Sequence, residues 1–349
     1  MKIGLLSVQV PFVNGGAEEL TLSLKHELVK RGFSTDIITI PFKWYPLESL
    51  KKSVNISDMV DISESSGIKI DKVISLKFPA YYIHHPNKSL WLLHQFRQIY
   101  DIYDNGDKSF YTTPDGSAYR DELMGRDKKV LSTFDKRFTI SKNVSDRMLN
   151  YNGINSEVLY PPPPLFETFF NDKSEDFLFF PSRINSSKRQ ELVIKSLVHA
   201  SKNVKVVFAG TSPDDTYVNS LKKMAVQLGV ASQVVWLGEI THQEKIKYYS
   251  KCLGVVFTPQ NEDLGYVTME SLLSGKPVIT CTDSGGSLEF IRDNFNGSIV
   301  DPEPESLGRA ISTMFSNKDR TKKLGLAGKD FYNSLSINWD TVIERLISE

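Results

Sequence analysis

Four consecutive prolines, Pro161 to Pro164, divide this chain into two stretches that repeat one local pattern. Proline lacks a backbone N–H and fixes φ at about −65°, so such a run cannot lie inside a helix or in the interior of a sheet. It forms a stiff, extended connector instead. A chain of 349 residues also exceeds what one hydrophobic core usually serves. We therefore predict a first domain at 1–160, a linker at 161–175 and a second domain at 176–330.

Strands and helices alternate before the prolines. The segment 3–10 is predicted as a buried strand, a glycine turn follows it, and helical periodicity at 17–31 leads to a strand at 35–40. Further strands are predicted at 72–76, 89–93, 137–139 and 157–160, with a helix at 141–151. A strand, a helix and a strand in about 40 residues form the unit that builds parallel sheets.

The same alternation restarts after the prolines. Predicted strands are 176–181, 204–209, 234–237, 254–258 and 277–280, and predicted helices are 189–200, 215–228, 242–250 and 267–274. Two such series predict an α/β fold with two Rossmann-like parallel-sheet domains that face each other across a cleft. The final stretch, 331–349, is amphipathic, and we expect one helix that packs back on the first domain.

The composition excludes several classes of protein. The formal net charge is zero, so the chain lacks the basic excess of a nucleic-acid-binding protein. Cys252 and Cys281 are the only cysteines, which favours buried free thiols in a reducing compartment over a disulfide framework or a multi-cysteine zinc site. We find no apolar stretch of membrane-spanning length and no leader-like segment at the beginning. We therefore expect a cytoplasmic protein.

Three loops that follow predicted strands are candidate ligand sites, because open parallel sheets bind ligands beyond the carboxyl ends of their strands. The first loop contains Asn14, Gly15 and Gly16. Small residues let the backbone approach a phosphate, and the helix that follows supplies N–H groups. The loop lacks a complete dinucleotide-binding glycine motif, so a simple turn is the alternative interpretation.

The second loop carries Arg183 and Lys188 at the end of the first strand of the second domain. Two cations on a short loop can bind a diphosphate, with arginine acting as a planar fork and lysine as a point charge. A solvated loop before a helix is the alternative.

The third loop leads from Glu262 to Glu270. A helix that begins near Val267 places the N–H groups of Leu264, Gly265 and Tyr266 at its amino end, with Asp263 and Glu262 in the loop before it. Such a loop can bind a phosphate on its backbone and sugar or ribose hydroxyls on its two carboxylates. The spacing alone decides little, since other glutamate pairs in the chain are also eight residues apart. A capped helix with a stabilising glutamate in its first turn is the alternative.

Three histidines are candidate site residues. His94 ends a predicted apolar strand, where side chains emerge at the ligand-binding edge of the sheet, so a functional and a structural role are equally open. His84 and His85 lie in the loop before that strand and favour structural roles. No Asp-x-Asp sequence and no His, Cys or carboxylate spacing matches a standard metal site, so we expect neither a metal nor another cofactor.

These loops, in this order, resemble the retaining glycosyltransferases of family 4, which have the GT-B fold. The most specific part of the resemblance is the block Glu262–Glu270 followed by the sequence Gly-Lys-Pro-Val at 275–278. The resemblance extends over nearly the whole chain. Its other parts are Gly15–Gly16, the region of Ser141, Tyr160–Pro162, Arg183 and Lys188, Ser284–Gly286 and Asn296–Gly297.

The resemblance implies a role for each candidate residue. Glu262 would hold hydroxyls of the donor sugar, and Glu270 the ribose. Arg183 and Lys188 would neutralise the diphosphate that leaves, without a metal. Backbone at Gly15 and Gly16 would contact that diphosphate or the acceptor, and His94 would lie at the donor sugar.

The expected reaction is transfer of a sugar, with retention, from a UDP- or GDP-sugar to a glycan, a lipid-linked sugar or a small molecule. Polysaccharide or glycoconjugate synthesis is the expected context. Leu264 and Tyr266 depart from the family's usual Phe and aliphatic residue near the sugar pocket, which leaves the donor open. A sugar-nucleotide 2-epimerase and a non-catalytic nucleotide-sugar binding protein are the alternatives. The acceptor, weak membrane association and the oligomeric state stay open.

Overall fold

The computed structural model describes residues 1–12, 15–104, 112–212 and 214–348, and divides the chain into two compact units. One unit comprises Met1–Pro164 with Asn338–Glu349, and the other comprises Leu165–Ile337. Among the described residues, each unit contains a six-stranded parallel sheet with helices around it. The prediction of an α/β fold with two Rossmann-like domains is confirmed.

The first unit is built on strands whose apolar residues are buried. In the first strand, which has a neighbour on each side, Ile3, Leu5, Leu6 and Val8 are all buried, as expected when helices cover both faces of a parallel sheet. The sheet has the strand order β2-β1-β5-β6-β7-β8, and β3 and β4 form a separate hairpin. The strands are β1 (Lys2–Gln9), β2 (Ser34–Pro41), β3 (Glu64–Ser65), β4 (Ile68–Lys69), β5 (Lys72–Lys77), β6 (Lys88–His94), β7 (Lys136–Thr139) and β8 (Glu157–Val158). Helices up to the proline run are α1 (Gly16–Lys30), α2 (Leu47–Met59), α3 (Asp101–Asp104), α4 (Pro114–Ser132) and α5 (Lys142–Asn152).

The second unit repeats the plan with shorter strands. Its sheet has the order β11-β10-β9-β12-β13-β14, and all neighbours are parallel. The strands are β9 (Leu178–Pro181), β10 (Val206–Ala209), β11 (Val234–Trp236), β12 (Gly254–Val256), β13 (Val278–Cys281) and β14 (Gly297–Val300). The helices are α6 (Gln190–Ser196), α7 (Asp215–Gln227), α8 (His242–Lys251), α9 (Tyr266–Leu273), α10 (Pro304–Ser316) and α11 (Lys318–Ser334).

The strand order creates one topological switch point in each sheet. In the second sheet, the chain proceeds outward from β9 through β10 to β11 and then returns to β12 on the other side of β9. The chain connections after β9 and β12 therefore run in opposite directions along the sheet, and the carboxyl edge at such a point is the usual ligand position in these sheets. In the first sheet the equivalent point lies between β1 and β5.

The prediction of one helix at 331–349 was wrong. Helix α11 ends at Ser334, and a separate helix α12 covers Trp339–Ile347. Ser336 has a left-handed φ of 52°, and the Asn338 side chain accepts a 2.9 Å hydrogen bond from the Thr341 N–H, which caps the new helix. Helix α12 belongs to the first unit, where Trp339 packs edge-on against the buried Trp91.

Within the described part of the chain, no helix combines the length and the apolar character needed to cross a membrane. Both cysteines are buried free thiols, as predicted, and burial raises the pKa of each to about 12.

Candidate functional site

The switch point of the second sheet brings together the two loops that the sequence singled out there. The loop after β9 carries Arg183 and Lys188, and the loop after β12 carries Glu262. The Lys188 ammonium forms an ion pair with Glu262 Oε2, and both side chains are largely buried, with 14% and 23% exposed. The sequence interval between these two residues is 74 positions, so only the sheet order makes them neighbours.

Local capping fixes the position of Lys188. Residues Ser186–Lys188 form a short 3-10 turn, and the Asn185 side chain accepts a 3.2 Å hydrogen bond from the Lys188 N–H. The Lys188 Nζ also lies 5.6 Å from the centre of the Phe257 ring. Arg183 differs, because it is exposed and its guanidinium makes no hydrogen bond or ion pair with the described residues. Of the two predicted cations, Lys188 is anchored by its contacts, and Arg183 has no side-chain partner among the described residues.

Arg189 is a key residue of this loop that the sequence analysis did not assign. Its guanidinium binds both oxygens of Asp283 at 2.7 and 2.8 Å, and it donates to the backbone oxygens of Thr258 and Pro259 at 2.7 and 2.8 Å. One side chain therefore holds the loops after β9, β12 and β13 together. Arg189 has a left-handed φ of 56°, although a non-glycine residue prefers a negative φ, so the contacts of its side chain outweigh this backbone preference. Nothing in the local sequence distinguishes Arg189 from a surface arginine.

Two glycines let the loop after β12 pack against the loop after β13. Gly265 has a φ of 83°, and a Cβ there would lie 2.6 Å from Ser287 Oγ. A Cβ on Gly286 would lie 2.4 Å from the Asp263 carbonyl oxygen. A 2.7 Å hydrogen bond from the Gly286 N–H to the Glu262 oxygen joins the same loops. The loop after β12 is therefore held by close backbone contacts that a side chain at position 265 or 286 would block.

Helix α9 begins at Tyr266, with Gly265 as its N-cap, and Leu264 is buried immediately before it. Its onset is one residue earlier than predicted. Glu270 is the fifth helical residue and lies beyond the first turn, so the interpretation as a glutamate that stabilises the first turn is wrong.

The Glu270 carboxylate is only 3% exposed and already has two partners. Lys245 Nζ donates to Oε1 at 2.7 Å, and the Tyr249 hydroxyl donates to Oε2 at 2.8 Å. Burial, followed by the charge of Glu270, raises the pKa of Tyr249 well above its usual value, so the phenol stays protonated and donates. A carboxylate offers about four lone-pair positions, which leaves capacity for two further donors.

Lys245 and Tyr249 were missed by the sequence analysis. They lie four residues apart on α8, and this spacing places them on one face of the helix. A lysine and a tyrosine at that spacing are common on helices, so the pattern pointed to nothing until the fold placed Glu270 beside them.

Two buried hydroxyls near these loops have no hydrogen-bond partner among the described residues. They are Thr258 Oγ1, which follows β12, and Ser287 Oγ, which follows β13. Both residues are fully buried. Buried polar groups are normally satisfied, so each of these two hydroxyls carries the cost of a missing hydrogen bond in this structure.

The remaining predicted residues lie at the carboxyl edge of the first sheet. Gly15 is the N-cap of α1, with extended φ and ψ, and Gly16 begins the helix; Asn14 lies outside the described residues. The first turn of α1 contains Glu18 and Glu19, and Glu18 forms a 3.6 Å ion pair with Lys77 at the end of β5. These carboxylates offset the partial positive charge of the helix end, which weakens the case for phosphate binding there.

His94 is the last residue of β6 and is half-buried. Its Nδ1 lies 2.7 Å from the Gln95 carbonyl oxygen, which fixes the orientation of the ring. His85 is buried with both ring nitrogens hydrogen-bonded to backbone, and His84 Nε2 lies 2.8 Å from the Asp58 carbonyl oxygen. Structural roles for His84 and His85 are in line with these contacts.

The second unit matches a known family. The sequence model of the family described as "Glycosyl transferases group 1" matches residues 165–331, which include every candidate residue of the second unit.

Several curated relatives are glycosyltransferases by name. The chain is 27% identical over 251 residues to the alpha-1,3/1,6-mannosyltransferase ALG2 of Mus musculus, covering 64% of this chain and 58% of that protein. It is 28% identical over 199 residues to ALG2 of Homo sapiens, covering 50% and 48%. The matched stretch thus spans about half the length of these relatives. An uncharacterized glycosyltransferase of Methanocaldococcus jannaschii is 24% identical and covers 100% of this chain and 97% of its own.

Solved structures share the fold of the whole chain. The Anabaena protein Alr3699/HepE, solved in complex with UDP and glucose, has a TM-score of 0.70 at 16% identity and covers 100% of both chains. Sucrose-phosphate synthase from Thermosynechococcus elongatus has a TM-score of 0.76 at 17% identity and covers 98% of this chain and 96% of its own. Together, the family match over residues 165–331, the named relatives and the shared fold support a glycosyltransferase of the group 1, family-4 type with the GT-B fold.

Proposed function

We propose that the protein transfers a sugar, with retention of configuration, from a nucleoside-diphosphate sugar to an acceptor hydroxyl. The observation that carries the proposal is the pairing of Lys188 with Glu262 at the switch point of the second sheet. A cation that suits a diphosphate and a carboxylate that suits sugar hydroxyls meet where open α/β sheets bind their ligands.

Arg183 and Lys188 are proposed to bind the diphosphate. When the bond between the sugar and the diphosphate breaks, negative charge develops on the leaving oxygen, and fixed cations stabilise it. An ammonium group has three N–H donors, so Lys188 can keep its contact with Glu262 and still donate to a phosphate oxygen. Arg183, with no competing partner among the described residues, supplies a planar fork for two phosphate oxygens. We propose on this basis that a metal is not required.

The two glutamates are proposed to act in different parts of the donor. Glu262 is partly exposed at the switch point and suits the sugar hydroxyls. Glu270 is buried and held by Lys245 and Tyr249, which suits a rigid acceptor for the ribose hydroxyls. The backbone from Asp263 to Tyr266 leads into α9 and contributes N–H groups at the amino end of that helix.

In the first unit, His94 is proposed to contact the donor sugar, and the backbone of Gly15 and Gly16 the diphosphate or the acceptor. Neither glutamate is proposed as a nucleophile, so attack by the acceptor on the same face of the sugar is the mechanism of retention that we favour.

A GDP-linked sugar, with mannose first, is the proposed donor, and a UDP-sugar is the alternative. Relatives named as mannosyltransferases support this choice, including a GDP-mannose-dependent phosphatidylinositol monomannoside mannosyltransferase of Mycobacterium tuberculosis that is 28% identical over 178 residues. That match covers 47% of this chain and 44% of the relative. The acceptor is proposed to be a glycan, a lipid-linked sugar or a small molecule.

A nucleotide panel tests the proposal. Thermal shift with GDP, UDP, ADP and dTDP should show stabilisation by GDP or UDP, and hydrolysis of the matching sugar nucleotide should then release free sugar. The Arg183→Ala variant should lose the stabilisation, while Lys323→Ala, an exposed lysine on α11, should keep it. Absence of stabilisation by every nucleotide, with or without EDTA, would contradict the proposal.

A further inference from the structure

A pocket lies at the amino edge of the sheet in the first unit, at the opposite end of the strands from Gly15 and His94. It has a volume of about 990 Å³ and is bounded by the starts of β5, β6 and β7, by α4 and by the end of α12. Parallel strands place all their amino ends at one edge. Small-molecule sites are typically concave and of roughly 300–1,000 Å³, so this pocket has the size of a ligand site.

The walls carry an excess of positive charge. Among the residues that the structure describes, five cationic side chains line the pocket, against two carboxylates, Asp58 and Asp135. Asp58 is already engaged, since Arg126 Nη2 lies 3.2 Å from its Oδ2. The cationic residues are Lys72, Lys88, Arg126, Lys129 and Lys136.

Lys88, at the start of β6, is the strongest indication of an anionic ligand. Burial lowers the pKa of its ammonium, and the charge of Asp58, which also pairs with Arg126, opposes only part of this shift. Lys88 forms no ion pair within 4 Å with a described residue. Its Nζ lies 4.5 Å from the centre of the Phe134 ring, which compensates only part of the lost hydration. A desolvated ammonium that shares its nearest carboxylate with an arginine is costly, so a bound anion would stabilise this position.

Lys72 and Lys136 add to the charge. Both ammonium groups donate to the carbonyl oxygen of Ser348, Lys72 at 3.3 Å. A neutral carbonyl oxygen does not neutralise the Lys136 ammonium, so Lys136 contributes positive charge to the field inside the pocket. Lys129 is exposed on α4 and has no ion-pair partner among the described residues.

The rest of the lining is suited to hydroxyl groups. Asp135, Asn87 and Thr133 offer a carboxylate, an amide and a hydroxyl to the same space as the lysines. Carboxylates repel a flat anionic surface but accept hydrogen bonds from a polyol. We propose that this pocket binds a small phosphorylated polyol, such as a sugar phosphate, with its phosphate between Lys88 and Lys129. The site is separate from the donor site and does not rest on the proposed transfer reaction.

Calorimetric titration of the full chain with glucose 6-phosphate, inorganic phosphate and glucose tests the proposal. Glucose 6-phosphate should bind saturably, phosphate more weakly, and glucose not at all. Lys88→Met and Lys129→Ala should each raise the Kd for glucose 6-phosphate by about tenfold, the loss expected for one charge-assisted contact. Lys128→Ala is the matched control, because it removes the neighbouring lysine of α4 that does not line the pocket, and it should leave the Kd unchanged.

Two further measurements keep the outcomes distinct. The Arg183→Ala variant should bind glucose 6-phosphate like the wild type. If this variant lost the binding, the ligand would be bound at the donor site, and the proposal would be overturned. Lys88→Met should raise the Tm of the unliganded protein, because it removes a desolvated charge, so weaker binding cannot be attributed to unfolding. Absence of saturable binding would overturn the proposal, and so would a wild-type Kd in both Lys88→Met and Lys129→Ala. Binding of anionic phosphatidylglycerol vesicles in place of the sugar phosphate would also overturn it.

Discussion

The ion pair between Lys188 and Glu262 joins the loop after β9 to the loop after β12 across the switch point of the second sheet. It links two groups for which we propose different targets, the diphosphate and the donor sugar. The pair holds both side chains in place before the donor arrives, so little side-chain entropy is left to lose on binding.

Removing the Glu262 carboxylate should separate catalysis from nucleotide binding. Glu262→Ala should lower kcat/KM for transfer by about a hundredfold or more, because contacts to the reacting sugar are lost. The Kd for the nucleoside diphosphate should stay unchanged or fall, since Lys188 no longer shares its charge with a carboxylate. Titration calorimetry and a transfer assay measure the two effects. Asp330→Asn, an exposed carboxylate on α11, serves as control, and equal activity of Glu262→Ala and wild type would remove Glu262 from the site.

The two cations of the β9 loop should discriminate diphosphate from nucleoside. Arg183→Ala and Lys188→Ala should each weaken nucleoside-diphosphate binding by about ten- to a hundredfold, the range for one charge-assisted hydrogen bond. Nucleoside binding should change little. Competition binding with GDP and guanosine measures the difference, and equal losses for both ligands would show that these residues act through folding and not through the phosphates.

The stability of the protein should depend on the contacts that the buried Glu270 makes with its two partners. Lys245→Met leaves a carboxylate that is 3% exposed without its cation, and should cost about 3 kcal/mol of unfolding free energy. Adding Glu270→Gln to this variant should recover part of the loss, because no buried charge then remains. Urea unfolding of the single and double variants checks the coupling. Strictly additive losses would mean that Lys245 and Glu270 do not stabilise each other.

Gly265 should tolerate no side chain. Gly265→Ala combines a φ of 83° with a Cβ that would lie 2.6 Å from Ser287 Oγ, and should cost about 1–3 kcal/mol. Removing the hydroxyl in a Gly265→Ala, Ser287→Ala double variant should relieve the clash and leave only the backbone strain. Thermal unfolding separates the two contributions. If the double variant were no more stable than Gly265→Ala, the clash would not be the cause.

Asp127 should make the stability of the first unit depend on pH. Burial raises the pKa of its carboxyl to about 6, although the hydroxyls of Tyr81, Tyr82 and Tyr100 donate to it at 2.6–2.8 Å. Between about pH 4 and about pH 6 the folded protein keeps a proton that the unfolded chain releases. The contribution of protonated Asp127 to the unfolding free energy is therefore complete below about pH 4. As the pH rises through about 6, this contribution is lost, by on the order of 3 kcal/mol.

Urea unfolding of the wild type and Asp127→Asn across this range isolates that contribution. The unfolding free energy of the wild type should fall relative to that of Asp127→Asn as the pH rises. A difference between the two that is constant with pH would contradict the raised pKa.

Local sequence signals determined much of the fold. The apolar runs of β1, β6 and β9, the periodicity of α1, α5 and α7, and the four prolines all act over short stretches of chain, so their physical consequences can be predicted one segment at a time. Helix α4 was missed because its surface is strongly polar, although Thr113 caps it and Pro114 begins it. Helix α2 and strand β14 were missed as well.

The candidate residues were predicted through their loops and their family resemblance, but their partners were decided only by the tertiary structure. Sheet order placed Lys188 against Glu262, and helix packing placed Lys245 and Tyr249 against Glu270. Arg189 acquired its role because three loops converge on it. The sequence thus determined which segments become strands, helices and ligand-facing loops, since those choices depend on neighbouring residues. Pairings between side chains depend on contacts distant in sequence, and only the folded chain establishes them.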